Sequence, residues 1–302
     1  MSDIDASQIR DLWENGRTSE AIDAIRDDPH AAGFFDQPIV QELLQLAATD
    51  GRCEEIRQLA ALGADVNFRS GAGETPLLEA CDAGQAEAAR VLIELGADPN
   101  DEDYLVVWPL FAAARSGSVE TLDAIIAAGA PVDHENFEGE TAVAYAVRSR
   151  ELATLERLIA LGADITEGQP HDTPLRSCIL NAWLPGVRAL VEGGAPIDRR
   201  AEYTWFNPGA AERLDDERSD FLFRPVVRVI GRFFFVRRLL KDMHTEDELT
   251  ELELARLLVE RPETRQQLHV EDEPTPDAAY EAVLAYLESR AGEKTATPPP
   301  AA

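Results

Sequence analysis

Lysine is nearly missing from this chain. Of 28 basic residues only Lys241 and Lys294 are lysines, and against those 28 stand 57 acids, for a formal net charge of −29. A field of that sign repels nucleic acid and anionic lipid and favours basic partners. Large negative charge also serves solubility, so the sign alone does not choose between the two. Cysteine is scarce as well. Cys53, Cys81 and Cys178 are odd in number, widely spaced and form no CxxC pair. That excludes a disulfide framework and a cysteine-rich metal site, and reads as small buried apolar residues in a reducing compartment. No run of eighteen uncharged apolar residues occurs, which excludes a membrane-spanning helix. The opening "MSDIDASQIRDLWENG" carries early acids and no apolar stretch of the kind a secretory leader needs. The expected location is cytoplasmic.

Catalytic signatures are missing too. There is no G-x-x-x-x-G-K-[ST] phosphate loop, no HExxH, no EF-hand spacing and no G-x-S-x-G elbow. The five histidines, His30, His134, His171, His244 and His269, are scattered. A triad can assemble from distant residues, but nothing here marks one. The expectation is no catalytic residue, no cofactor and no metal.

What the sequence does have is a period. "GADVN" begins at Gly63, "GADPN" at Gly96, "GAPVD" at Gly129 and "GADIT" at Gly162, each 33 residues after the last; "GAPID" follows at Gly194. A second series runs in phase: "TPL" at Thr75, "WPL" at Trp108, "TAV" at Thr141 and "TPL" at Thr173. Two signals locked to one period mark a repeat architecture. Within a unit, Pro76 suits the first helical turn, where its missing N–H is no loss. Leu77, Ala80 and Cys81 give one apolar helical face. Ala88, Val91, Leu92 and Leu95 line a second helix, and Gly96 ends it in a left-handed conformation. One such unit cannot bury its apolar face alone, so neighbours stack.

Over roughly residues 38–198 the frame "GETPLLEACDAGQAEAARVLIELGADPN" resembles the ankyrin repeat family. Five units are counted, the first lacking the TPL element. The resemblance implies an all-α solenoid of helix-turn-helix units with short finger loops. The family's usual histidine after TPL, which the resemblance implies would help join adjacent units through hydrogen bonds, is missing; its places hold Gln45, Leu78, Phe111, Ala144 and Arg176. Arg150 and Ala182 stand where units four and five should carry the glycine between helices.

Terminal units need covering. Residues 1–37 read as an N-terminal helical cap, a decayed repeat in which Ile9, Leu12 and Trp13 face Ile22 and Ile25. "DPHAAGFFDQP" reads as a connecting loop over Phe34 and Phe35. Residues 199–295 read as a C-terminal helical cap and 296–302 as a disordered tail. In the C-terminal part, "FRPVVRVIGRFFFVRRLLKDMH" is dense in apolar residues, with Arg224, Arg228 and Arg232 four apart. Its six cations are expected to pair with the chain's own acids. Thr245 and Glu248 have capping-box spacing, and a last helix is expected after Thr275 and Pro276, ending near Gly292.

The one irregular unit is "DEDYLVVWPLFAAARSG", residues 101–117. Val106 and Trp108 replace the ordinary Gly and Thr of the finger. The resemblance implies that fingers and first helices form the surface through which the family binds proteins. On that alignment the partner-binding candidates are Asp103, Tyr104, Leu105, Val107, Trp108, Arg115, Phe137, Glu138, Glu140 and Arg148. Aromatic anchors inside an acidic rim have the make-up of an interface hot spot. The competing reading turns Val106 and Trp108 inward to patch the stack, and Tyr203, Trp205 and Phe206 stand between surface and cap. The function expected is a non-enzymatic, monomeric adaptor for a basic protein, with no nucleic acid and no membrane insertion. An immunity-type inhibitor that occludes a basic toxin or nuclease is the alternative, and an enzyme in the C-terminal helices is the third.

Overall fold

The computed structural model of the chain describes residues 6–27, 38–101, 107–136, 139–166, 173–197, 250–260 and 277–296. They fall into two compact units, residues 1–163 and 164–302. The fold is an all-α repeat solenoid.

Unit one is built of five helical hairpins. Their helices are α1 (Ala6–Glu14), α2 (Thr18–Asp27), α3 (Pro38–Thr49), α4 (Cys53–Ala61) and α5 (Pro76–Asp82), then α6 (Ala86–Glu94), α7 (Pro109–Ser116), α8 (Val119–Ala127), α9 (Ala142–Ser149) and α10 (Leu152–Ala160). The odd-numbered helices lie side by side in one layer and the even-numbered ones in a second. The seam between the layers is the core: Leu43, Leu44, Ile56, Leu59, Leu77, Leu92, Leu110, Phe111 and Leu122 are buried outright. Each such side chain contributes about 1.5–3 kcal/mol by leaving water. Trp13 belongs to this packing, 4% exposed, with Arg52 5.7 Å over its ring.

Each repeated motif has a structural cause. Thr75 accepts from the Leu78 N–H at 3.2 Å and Thr141 from the Ala144 N–H at 3.4 Å, so the threonine of TPL is a helix cap. Asp65 and Asp98 accept, both at 2.9 Å, from the N–H groups of Asn67 and Asn100 and tighten the turn after each second helix. Asn67 then clamps the next unit: its amide donates to the Gly96 carbonyl at 3.1 Å and accepts from the Asp98 N–H at 3.1 Å. Gln45, in the place of the missing histidine, donates to the Glu74 carbonyl of the following finger at 2.9 Å. The link between units is therefore kept with a different side chain.

The helix-to-helix turn needs a left-handed residue. Gly16, Gly51, Gly84 and Gly117 supply it at φ values of 74°, 72°, 70° and 78°. Arg150 takes the same conformation at φ 59° and makes the same bonds, Arg150 N–H to Val147 O and Glu151 N–H to Ala146 O. The backbone pattern survives the loss of glycine at the cost of Cβ strain, of order 1 kcal/mol.

Unit two holds a further hairpin, α11 (Pro174–Leu180) and α12 (Leu184–Glu192), with Thr173 capping α11 through the Arg176 N–H. Ala182 fills its turn at φ 47°. Two more helices, α13 (Glu251–Glu260) and α14 (Asp277–Ala296), pack on α11 and α12 respectively and on each other. Tyr280 donates its hydroxyl to the Leu180 carbonyl at 3.0 Å, and Arg188 lies 5.4 Å over the Tyr286 ring. Arg256 pairs with Glu288 at 3.0 Å.

α13 opens on a capping box of Thr250 with Glu253: the Thr250 N–H reaches the carboxylate at 2.8 Å and the Glu253 N–H reaches the hydroxyl at 3.3 Å. Three expectations need correction. Leu95, expected to line the second helix, is its C-cap and is 39% exposed. The last helix runs past Gly292 to Ala296. An interior glycine costs about 1 kcal/mol but does not end a helix, whereas Pro298 disfavours helical geometry in the residue before it. Cys81 and Cys178 are buried as expected, but Cys53 is only partly so. Phe34, Phe35, Tyr203, Trp205, Phe206, the arginine run at 224–241, Thr245 and Thr275 lie outside the described residues.

Candidate functional site

Along the first-helix layer of unit one stand two columns of residues in 33-residue register, in which Ala112 and Tyr145 are buried and the rest are partly or fully exposed. One column is Leu46, Glu79, Ala112 and Tyr145, on α3, α5, α7 and α9; the other, one turn later, is Thr49, Asp82, Arg115 and Arg148. The register follows from sequence: equal positions in stacked helices must fall in line.

The columns change character along the layer. At α3, Leu46 is 37% exposed, one of two large apolar side chains so exposed among the described residues. At α5 three carboxylates gather. Burial pushes the Glu79 carboxyl above its ordinary range, and the negative charges of Glu74 and Asp82 push it further. Thr49 donates its hydroxyl to Glu79 at 3.3 Å. Arg115 answers Asp82 with two contacts, Nε at 2.8 Å and Nη2 at 2.6 Å. At α9 the arrangement inverts. Glu140 is nearly enclosed, its carboxylate accepting from Asn136 Nδ2 at 3.1 Å and from Arg148. Arg148 lies 5.2 Å over the Tyr145 ring and keeps its head outward: its side chain is 58% exposed against 6% for that of Glu140. Burial, followed by the nearby Glu140, raises the Tyr145 phenol, which therefore stays protonated.

The fingers on either side of the irregular one share a turn. Ser70 N–H to Glu74 O and Gly73 N–H to Ser70 O recur 66 residues later as Asn136 to Glu140 and Gly139 to Asn136, all between 2.9 and 3.0 Å. Between them, Trp108 stands at the N-cap of α7 with no side-chain cap bond. Its ring meets His134 with centroids 3.5 Å apart. His134 continues to Phe111 at 6.0 Å, and Phe111 stacks on Tyr145 at 4.9 Å and 12°. Trp108 forgoes a cap worth about 1 kcal/mol and ties its unit to the next finger instead.

Of the residues expected from sequence, Arg115 and Arg148 are exposed and share a column. Val107 and Trp108 are partly buried, and Glu140 is buried beneath Arg148. Asp103, Tyr104, Leu105, Phe137 and Glu138 lie outside the described residues. Leu46, Glu79 and Tyr145 escaped the sequence reading. The signal was available: they sit three residues before the column that the repeat count had already picked out. Among the described residues no group of three or more His, Cys, Asp or Glu is placed to hold a metal ion. Among the same residues no helix is long and apolar enough to cross a membrane.

Residues 16–103 and 110–201 match the family described as ankyrin repeats (3 copies). No curated protein matches the chain.

Proposed function

The chain belongs to the ankyrin repeat family, and on that premise we propose that it is a non-enzymatic adaptor whose first-helix face and fingers grip a basic protein. The family's fold suggests a protein-interaction module. What supports a basic partner is the way charge is spent inside unit one. Arg10, Arg57, Arg69, Arg115, Arg148 and Arg157 each pair with a carboxylate, mostly of a neighbouring unit. With cations consumed as links between units and a net charge of −29, the outward field is left to acids. The contact residues in this reading are Tyr104, Leu105, Val107, Trp108, Phe137, Asp103, Glu138, Arg115 and Arg148, with Glu140 holding Arg148 from below. Residues 1–37 and 199–295 serve as covers for the ends of the array. The protein works as a cytoplasmic monomer.

The test is affinity capture on the full chain at low and high salt, with identification of what is retained. The expected partner has a basic surface and elutes as salt rises. Tyr104→Ala with Phe137→Ala should weaken it, each aromatic by roughly 1–3 kcal/mol. Undiminished binding by the double variant removes these anchors from the interface. An adaptor retains two partners at once. A chain that retains one, and whose loss is toxic only when that partner is present, is instead a neutraliser of a basic toxin.

A further inference from the structure

We infer that Asn15 is a site of spontaneous covalent modification, and that its conversion to aspartate and isoaspartate releases the first hairpin, α1–α2, from the array. This concerns the end of the array and stands independently of what the array binds.

The chemistry is set by one dipeptide. Asn15–Gly16 is the single Asn-Gly pair in the chain. The Gly16 nitrogen attacks the side-chain carbonyl carbon Cγ of Asn15, and with no Cβ on Gly16 nothing shields that nitrogen. A bond forms from Gly16 N to Cγ, the Cγ–Nδ2 bond breaks, and ammonia leaves with the proton of the Gly16 N–H. Solvent water then opens the five-membered imide at one of its two carbonyls. Opening at Cγ gives aspartate. Opening at the Asn15 main-chain carbonyl gives isoaspartate, with the chain rerouted through the side chain.

The structure separates this asparagine from the other described ones. Asn67 is bonded through both atoms of its amide, Asn136 is buried, and Asn181 donates to the Ser177 carbonyl at 2.8 Å. Asn100 is followed by an aspartate, whose side chain crowds the attacking nitrogen. Asn15 and Gly16 are both exposed, and nothing lies within 4 Å of where a Cβ would stand on Gly16. They form the turn of a hairpin that packs on α3 and α4, and among the described residues no earlier hairpin stands behind it. Terminal elements of this kind open at lower free energy than the middle of a structure.

Closure delays the reaction. Asn15 Nδ2 donates to the Asp11 carbonyl at 2.6 Å and the Gly16 N–H to the Trp13 carbonyl at 2.9 Å, so both reacting groups are tied while the hairpin is shut. The reaction runs from the open hairpin, and its rate reads how often the hairpin opens.

The product closes less well. In the aspartate form an oxygen that only accepts replaces the amide donor and faces the Asp11 carbonyl. It also sets a charge against Asp11, four residues back, and against the negative end of α1. Isoaspartate adds a carbon to the main chain. That breaks the register of two turn bonds, Gly16 N–H to Trp13 O and Arg17 N–H to Leu12 O, both 2.9 Å. A hairpin so loosened loses its links Arg10–Glu42 and Thr18–Glu55 and uncovers α3 and α4.

The experiment holds the full chain at mildly alkaline pH, digests samples at intervals and maps the peptides by mass spectrometry. A free peptide of residues 8–22 gives the unprotected rate, and Asn15→Gln, whose longer side chain closes the ring far more slowly, is the blank. Asn15 should convert before any other described asparagine, with isoaspartate in excess of aspartate. Ile22→Ala, which loosens the buried seam of the hairpin, should speed conversion by roughly tenfold or more. Asn15→Asp, the product made directly, should show faster hydrogen exchange in residues 6–27 and unchanged exchange in residues 76–160. Earlier conversion of another described asparagine, or an intact Asn15 once the peptide is spent, overturns the site. Equal rates in the wild type and Ile22→Ala overturn control by opening. Exchange in Asn15→Asp that matches the wild type overturns the release.

Discussion

Arg150, like Ala182, departs from what backbone chemistry prefers. It holds φ 59° in a turn that the four earlier hairpins give to glycine. Arg150→Gly should therefore stabilise the chain by roughly 0.5–1 kcal/mol, read as a higher melting temperature. A lower one would mean that the arginine side chain contributes more than its backbone costs. Glu79 carries a different strain. Its folded carboxyl sits above the ordinary 4.5, first because of burial. A raised acid holds its proton more tightly in the folded state. Stability is then lost as pH climbs from the ordinary glutamate value through the raised one. Glu79→Gln should raise the melting temperature at pH 7, by roughly 1–2 °C, and change nothing below about pH 4. An equal gain at both values would show that the effect is not one of charge. The sequence exposed both sites unequally. Arg150 announced itself by breaking a glycine column. Trp108 announced itself by replacing a threonine cap, yet its partner did not, because the contact with His134 crosses 26 residues to another finger.

Among elements, the hairpins were legible and some helix ends were not. The 33-residue period fixes where helices start, since the same proline, threonine and glycine chemistry recurs at each step. Outside the repeats no such cross-check exists. "TEDELTELE" holds two Thr-x-x-Glu spacings, Thr245 with Glu248 and Thr250 with Glu253, and sequence alone cannot rank them. The second caps α13, and Thr245 and Glu248 lie outside the described residues. The link from Gln45 to the Glu74 carbonyl is the element-scale feature that sequence hid, because a missing histidine read as a missing bond. Gln45→Ala removes one of two donors to the Glu74 carbonyl, leaving the Ser70 N–H, and should cost about 0.5–1.5 kcal/mol. Hydrogen exchange in the finger at 68–75 should speed up with it. Gln45→His should hold the finger closed, since a ring N–H in that place can serve the same carbonyl. Faster exchange in both variants would make the amide, and not the bond, the thing required.

At the scale of the whole molecule, charge is distributed by role. In unit one Arg10, Arg57, Arg69, Arg115 and Arg157 each pair with a carboxylate of a neighbouring unit, while the chain as a whole carries a surplus of acid. Self-repulsion follows from a net charge of −29. Added salt screens it over about 10 Å at 0.1 M. Raising sodium chloride from about 20 to 300 mM should lift the melting temperature, by roughly 3–5 °C. A fall would mean that the ion pairs between units outweigh the general repulsion. How the acids divide between repulsion and recognition was not legible from composition, because composition counts charges without saying which are already answered.

The bonds that join one unit of the array to the next reach only to the neighbour: Gln45 to Glu74, Asn67 to Gly96, Arg115 to Asp82, Thr154 to the Ala114 carbonyl. Such a body behaves as links in series. A load applied at one end is borne by the first weak joint, so the array can surrender a single hairpin, lengthen by that much, and keep the rest of its grip.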